Sequence, residues 1–363
     1  MIQTAANIIT KHYALGELID AKEIHGGYCN RSFGLVFEKN DHRIKYLVRR
    51  YNPKTTEKEI KFEHALVGHL KKNGFDVVAG VIPNKTGGSY VKEKSSGKSP
   101  MDNGFWAVFE FLEGEDRYTW TDTRVASEDM ISAAKVLAQL HIAGQDFRKP
   151  PDADRAQLKI MDFLPTFRGV YAEFARRPGN SIFDRTFLKH RDAILKTIDR
   201  NLIQEPDLVK LPRLPIHCDF HQGNLKYQGT SVIGVFDFDW SKIDLRLFDL
   251  TLALVYFCAI WDGPQAGSLD LAKVRLFLNT YINGCKKTAS PGPLTILEKK
   301  YLPWLMASAN LYVLHWTIVD FYSLENPDDA EYMKYLNHGL NLMGWIESQK
   351  DRIAKIVYED PIF

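Results

Sequence analysis

The chain has 363 residues, 45% of them hydrophobic and 25% charged, an ordinary globular make-up and more length than one core usually serves, so two lobes are expected. Its 47 basic and 45 acidic residues leave a net charge of +2, which gives no support to a nucleic-acid partner or a polybasic membrane contact. The four cysteines, Cys29, Cys218, Cys258 and Cys285, form no C-x-x-C pair, which argues against a metal knuckle and for free thiols in a reducing compartment.

The N-terminus lacks a basic segment followed by a long apolar core, so no secretory signal is expected and the protein reads as cytoplasmic. Residues 2–15 have near-helical apolar spacing and predict an entry helix. Strand-like runs follow at 21–25, 31–37 and 45–51. Gly26-Gly27 between the first two marks a hairpin with a pliant tip, and 40–42 is a second turn. Residues 56–72 place Ile60, Phe62, Ala65, Leu66 and Leu70 at helical intervals and end at Asn73-Gly74, a helix stop. The stretch 87–103, rich in glycine, serine and lysine, reads as a loop. Residues 105–112 are a buried strand, broken by Glu113-Gly114-Glu115. The lobe boundary is placed there, giving 1–112 as a strand-rich lobe with one long helix and 113–363 as a mostly helical lobe.

Helices are predicted in that second part at 128–142, 162–176, 184–200, 249–261, 271–283, 294–320 and 329–357, interrupted by a strand-loop-strand at 216–239. The longest apolar stretch, 250–261, is too short for a bilayer of about 30 Å and reads as a buried helix.

The strand-loop-strand carries the chemistry. It contains His217-Cys218-Asp219-Phe220-His221-Gln222-Gly223-Asn224, then Val235-Phe236-Asp237-Phe238-Asp239. The interval from Asp219 to Asn224 is that of the H-R-D-x-x-x-x-N loop of phosphoryl-transfer enzymes. Asp219 is the candidate general base, a carboxylate able to take the proton of an attacking hydroxyl. Asn224 and Asp237 are candidate metal ligands, because Mg2+ is a hard cation that accepts oxygen donors and retains water. Asp239 points to the same side as Asp237 if the chain stays extended, and it then faces the metal or the acceptor. His217 reads as holding the loop, and His221 has no assigned role.

On the nucleotide side, Gly26, Gly27 and Asn30 form a candidate phosphate-covering loop whose glycines let backbone N–H groups approach phosphate oxygens. Neither G-x-x-x-x-G-K-[ST] nor G-x-G-x-x-G is present, which excludes a P-loop NTPase and a dinucleotide fingerprint. Arg49, on the following strand, stands where a phosphate-binding lysine is expected, with Arg50 as the fallback. Glu63 is its candidate partner on the next helix, and Glu59, one turn earlier, is the alternative. Between the lobes, Glu110 and Leu112 offer backbone groups to a purine base, although a plain core strand is an equal description of 105–112.

Three segments resemble the aminoglycoside phosphotransferase family, in the branch that holds homoserine kinase and choline kinase. Residues 217–225 are similar to its H-G-D-x-H-x-G-N signature, 235–240 to its I-D-[FW]-[DEG] motif, and Arg246-Leu247-Phe248-Asp249-Leu250 to its R-x-x-D-L/I-A, where the acid is usually structural. Ala138-Gln139-Leu140-His141 matches a further helix of that family. The resemblance implies an α+β, bilobal protein-kinase-like fold, with an antiparallel sheet plus helix in the N-lobe and a helical C-lobe. It also implies ATP and Mg2+ as cofactors and transfer to a hydroxyl of a small molecule such as an amino alcohol, sugar or aminoglycoside. Two residues depart from the pattern: Cys218 replaces a glycine, a change expected to matter little, and Arg49 replaces a lysine.

Two other readings compete. A serine/threonine protein kinase would need an A-P-E segment after Asp237, which is absent. A nucleotide-binding protein without catalysis finds its only support in Arg49. An acceptor pocket is expected among Trp240, Trp261, Asp262, Trp304, His315, Trp316, Asp320 and Tyr322, with core packing as the alternative for the aromatics.

Overall fold

The computed structural model describes residues 1–24, 30–93, 104–122, 124–177, 179–286, 288 and 290–358. The α+β chain divides into two compact units. The first holds Met1–Glu115, Phe147–Ala156 and Ile233–Phe236, and the second holds Asp116–Asp146, Gln157–Val232 and Asp237–Phe363.

In the first unit, helix α1 (Ile2–His12) precedes strands β1 (Glu17–Ile24), β2 (Arg31–Lys39) and β3 (His42–Arg50), then helix α2 (Glu57–Lys72), then β4 (Val81–Ile82), β5 (Val91–Glu93) and β6 (Gly104–Glu110). They form one antiparallel sheet in the order β1-β2-β3-β6-β4, with β5 also paired to β6. Period-two alternation puts Phe33, Leu35 and Phe37 of β2 on one face, against Ala5 and Ile9 of α1 and Val48, Trp106 and Val108. Tyr51, Ile60, Ala79, Ala107 and Phe109 form a second core. Strand β1 starts earlier than its apolar content suggests, because its burial is slight along the whole length and charged residues fill it.

Helix α2 begins with a reciprocal capping box, in which the Thr56 side chain accepts from Glu59 N–H and the Glu59 carboxylate accepts from Thr56 N–H. Such a cap stabilises a helix by about 1 kcal/mol. The helix stops at Asn73, and Gly74 follows with φ of 80°, a conformation open to glycine at no steric cost.

The second unit contains helices α3 (Ser127–Gly144), α4 (Ile160–Phe163), α5 (Phe167–Arg176), α6 (Ile182–Asn201) and α7 (Asp207–Lys210), then strands β7 (Arg213–Ile216), β8 (Leu225–Gln228), β9 (Ser231–Val235, whose last three residues belong to the first unit) and β10 (Lys242–Leu245). Helix α8 (Arg246–Cys258), strands β11 (Ala259–Ile260) and β12 (Ser268–Leu269), and helices α9 (Leu271–Cys285), α10 (Ile296–Ser323) and α11 (Asp329–Ile356) complete it. The single helix predicted at 162–176 is in fact α4 and α5, separated by a 3-10 turn at Leu164–Thr166 that contains Pro165. Proline has no N–H for an α-helical bond and favours such a break.

Helix α8 is buried along its whole length, which accounts for the apolar run read in the sequence. Helix α10 packs on α6, α8 and α11. Among the described residues no helix is long and apolar enough to cross a membrane. Strands β7 and β10 pair antiparallel, with Ile216 opposite Lys242, and so clamp the two ends of the segment that bears the motif.

Candidate active site

Strand β7 ends at Ile216 and hands the chain to a turn that departs from ordinary backbone geometry. Cys218 adopts φ of 65°, a left-handed conformation that costs an L-residue with a side chain about 1–2 kcal/mol. The family glycine at this position matches a backbone that glycine enters freely, and cysteine adopts the same backbone here with a side chain. Cys218 is fully buried, its Sγ lies 3.7 Å from the Tyr312 hydroxyl, and burial pushes its thiol up to about 12.

Asp249 holds that turn in place. Its Oδ1 accepts the Cys218 N–H at 2.7 Å, and its Oδ2 accepts the His217 N–H at 2.9 Å. His141 Nε2 lies 3.1 Å from the same Oδ2, and His141 Nδ1 lies 2.7 Å from the Tyr281 hydroxyl. Burial pushes the Asp249 carboxyl up, but the hydrogen bonds from His141 and His217 outweigh it and hold the group below the usual carboxylate range. Burial lowers His141 in turn, so a neutral ring donates from Nε2 to Asp249 and accepts from Tyr281. One helical turn away, Arg246 is fully buried and holds Glu298 through Nε at 2.9 Å and Nη2 at 2.5 Å.

The turn delivers Asp219, whose side chain is 22% exposed. Both of its oxygens are held from within the second unit. Asn224 Nδ2 donates to Oδ2 at 3.0 Å, and the Tyr256 hydroxyl donates to Oδ1 at 3.2 Å. Asn224 also donates to the Asp219 carbonyl at 3.0 Å, so the amide nitrogen is turned to Asp219 and its oxygen faces the other way. His221 Nδ1 accepts from Gly223 N–H at 3.0 Å, burial lowers its basicity, and its Nε2 lies 3.7 Å from Asp219 Oδ2. His217 is buried, with its ring 4.6 Å from that of Phe238.

In the first unit, Val235 N–H donates to Val77 O at 2.7 Å, which fixes the strand that leads to Asp237. Asp237 has φ of 67° and ψ of 59° and opens a 3-10 turn, Phe238–Trp240. The chain there is not extended, so the inference that Asp239 shares a side with Asp237 loses its basis. Among the described residues, no group of three or more His, Cys, Asp and Glu side chains is arranged to enclose a metal. An amide oxygen and a carboxylate form an oxygen-only donor set, which suits Mg2+, an ion that takes one or two protein ligands and fills its shell with water and phosphate oxygens.

The first unit pairs Arg49 with Glu63. Arg49 Nη1 lies 3.0 Å from Glu63 Oε1, and both side chains are nearly buried. Glu59, the alternative partner, is engaged in the α2 cap. Arg50 lies over the Trp106 ring, 5.8 Å from its centroid. Asn30 Oδ1 accepts the Asn52 N–H at 2.9 Å, while Gly26 and Gly27 lie outside the described residues. The Glu110 side chain binds Lys71 Nζ and the Gly80 N–H, and Glu110 N–H donates to Gly80 O. Leu112 is half-buried against the second core.

Of the residues expected to line an acceptor pocket, Trp261 faces a small recess in the second unit, walled also by Trp120, Tyr256, Tyr335, Asn310 and His338. His315 and Tyr322 are packed instead. The first stacks on Phe167 at 3.6 Å, and the second donates to Asp184 at 2.7 Å. Trp240 and Trp316 pack on each other, 4.8 Å apart. Tyr256 went unnoticed in the sequence, yet it lies seven residues after Asp249, two turns along the same helix face. That spacing is the signal that could have found it.

A family model described as the phosphotransferase enzyme family matches residues 20–278. The chain belongs to the phosphotransferase enzyme family. It is a kinase whose acceptor is a hydroxyl group of a small molecule. It is 26% identical over 332 residues to a homoserine kinase of Afipia carboxidovorans, covering 89% of this chain and 88% of the relative. A microcompartment-associated aminopropanol kinase superposes with a TM-score of 0.64 at 15% identity, covering 97% of this chain and 98% of the other. An amicoumacin kinase in complex with AMP-PNP, Ca2+ and Ami superposes with a TM-score of 0.64 at 14% identity, covering 99% of this chain and 94% of the other. At these identities the superpositions establish the fold, which is that of kinases of this family.

Proposed function

We propose that this phosphotransferase moves the terminal phosphoryl group of ATP to the hydroxyl of a small amino alcohol, with Asp219 as general base. The observation that carries the reading is the doubly held Asp219 carboxylate, fixed by Asn224 on one oxygen and by Tyr256 on the other. A base held this way needs no reorganisation when the acceptor arrives. It takes the proton of the hydroxyl as that oxygen forms its bond to phosphorus and ADP departs.

Asn224, through its oxygen, and Asp237 would hold Mg2+, and Arg49 would meet a phosphate of the nucleotide. The bound ion would offset negative charge on the phosphates. Backbone groups around Glu110 and Leu112, together with Gly26, Gly27 and Asn30, are assigned to the nucleotide on the sequence pattern. Residues 1–112 are read as the nucleotide-binding lobe and 113–363 as the catalytic and acceptor-binding lobe. The acceptor side is assigned to the recess under Trp120 and Trp261, because Tyr256 both lines it and bonds Asp219. An amino alcohol is favoured because the names of the similar proteins, homoserine kinase and aminopropanol kinase, specify amine-bearing alcohols.

The test is ADP release from Mg-ATP with homoserine, aminopropanol, ethanolamine, choline and an aminoglycoside, run on the wild type and on Asp219→Asn. The expected result is acceptor-dependent ADP from an amino alcohol, lowered at least ~10²-fold in the variant while nucleotide binding persists. Equal turnover in Asp219→Asn would end the base assignment.

A further inference from the structure

The Arg49–Glu63 pair is the visible end of a longer chain of contacts. Tyr51 Oη lies 3.0 Å from Glu63 Oε2 and 2.9 Å from His64 Nε2. His64 Nδ1 lies 2.8 Å from Ser89 Oγ. All five residues belong to the first unit.

The donors in this chain can be ordered in only one way. An ionised carboxylate only accepts, so the Tyr51 O–H donates to Glu63. The Tyr51 oxygen is then left with lone pairs for His64, which places the ring proton on Nε2. The neutral imidazole accepts at Nδ1, so Ser89 donates there. Burial, followed by the nearby charges of Arg49 and Arg155, pushes His64 down to about 3, and the ring therefore carries one proton at any working pH.

We propose that Ser89, His64 and Tyr51 are positioning residues for the phosphate donor, forming a one-way hydrogen-bond relay that fixes the Glu63 carboxylate and, through it, the Arg49 guanidinium. This inference rests on the assignment of Arg49 to a nucleotide phosphate. Lysine presents a compact point charge, whereas the arginine fork acts only when its plane is aimed. Glu63 Oε1 bonds a guanidinium nitrogen, and the Tyr51 hydroxyl on Oε2 resists rotation of the carboxylate about its last bond. His64 holds Tyr51, and Ser89 holds His64. The guanidinium also lies 5.4 Å from the Phe109 centroid and 6.0 Å from that of Tyr51, aromatic contacts that sharpen its placement. Arginine in the lysine position is thus supported by a network built around it.

The experiment measures the affinity of Mg–AMP-PNP by calorimetry for wild type, Tyr51→Phe, Ser89→Ala, Arg49→Ala and the Arg49→Ala/Tyr51→Phe pair, with melting temperatures and both substrate KM values. Tyr51→Phe is expected to weaken nucleotide binding about tenfold and to raise the nucleotide KM while leaving the acceptor KM unchanged. Added to Arg49→Ala, it is expected to weaken binding less than about twofold further, because it acts through Arg49. Ser89→Ala, a half-buried truncation that spares the ion pair, is expected to weaken binding about two- to fivefold. The relay is overturned if Tyr51→Phe weakens binding equally in both backgrounds, or if Tyr51→Phe or Ser89→Ala lowers only the melting temperature. Wild-type affinity in Arg49→Ala is a separate result that removes the phosphate assignment itself, and the relay with it.

Discussion

Asp249 accepts the backbone N–H of Cys218 at 2.7 Å, and that bond holds the turn from which Asp219 projects. Asp249 takes a second N–H from His217 and a third from His141, so all three donors fall on two oxygens of one buried carboxylate. Asn at this position would turn an NH2 group toward one of those donors. Leaving a buried donor unsatisfied costs about 1–3 kcal/mol, and more when a charged acceptor is lost. Asp249→Asn is therefore expected to lower the melting temperature and to cut kcat by more than tenfold, although the residue touches no substrate. Thermal melts beside steady-state kinetics check this, and wild-type values for both would refute the scaffold role.

Cys218 offers the opposite experiment. Its φ of 65° stores roughly 1–2 kcal/mol of strain, which glycine would release. Against this stand the lost burial of a small side chain and the greater backbone freedom of glycine when unfolded, about 0.5–1 kcal/mol. The terms nearly cancel, so Cys218→Gly is expected to keep its melting temperature within a few degrees and its kcat within about twofold. Cys218→Val adds β-branching to a left-handed residue and is expected to destabilise clearly. Equal melting temperatures for the two variants would contradict the strain argument.

The two cases also separate what a sequence reading can reach from what it cannot. The Asp219–Asn224 interval and the Arg49–Glu63 pairing lie within single segments or follow a known order along the chain, so residue type and spacing revealed them. The left-handed backbone at Cys218 and Asp237 is not fixed by residue type, because cysteine seldom adopts a positive φ and aspartate, though more tolerant of it, adopts it at few of its positions. Tyr256 and the Ser89–His64–Tyr51 chain reach their partners through tertiary packing, and each looks like ordinary core or loop until the fold brings it there. The capture of Ile233–Phe236 by the first unit is of the same kind. It depends on hydrogen bonding to Val77, not on any local pattern.

Tyr256 donates to Asp219 Oδ1 at 3.2 Å and packs its ring against His221 at 5.1 Å and Trp120 at 6.3 Å. Burial and the adjacent Asp219 charge push the phenol well above its ordinary range, so it remains a donor throughout the working pH range. Tyr256→Phe removes the hydroxyl and keeps the ring. The expected effect is about a tenfold loss of kcat, or ~1.4 kcal/mol, with the nucleotide KM unchanged. Initial-rate kinetics with both substrates varied will decide it, and an unaltered kcat would show that Asn224 alone suffices to hold the base.

Buried histidines lower the stability of the fold in acid, and three of them show it most directly. Burial lowers His64 and His315 to about 3 and His338 to about 4, each far from the ordinary 6.5. The unfolded chain takes up these protons as pH falls through 6.5, whereas the folded protein refuses them until about 3 to 4. The unfolded state then binds more protons, so stability is greatest above pH 6.5 and declines as pH drops. Each such histidine costs ~2 kcal/mol between pH 7 and pH 5, and three together approach the whole stability of an ordinary domain. His315 isolates the effect, because its ring stacks flat on Phe167 at 3.6 Å and phenylalanine can keep that contact. His315→Phe is expected to narrow the difference in denaturant-derived unfolding free energy between pH 7 and pH 5 by ~2 kcal/mol. It is also expected to lower stability modestly at pH 7, because the Tyr171 hydroxyl loses its partner at 3.3 Å. A variant whose stability falls with acid as steeply as the wild type would mean that the folded protein already accommodates a charged His315.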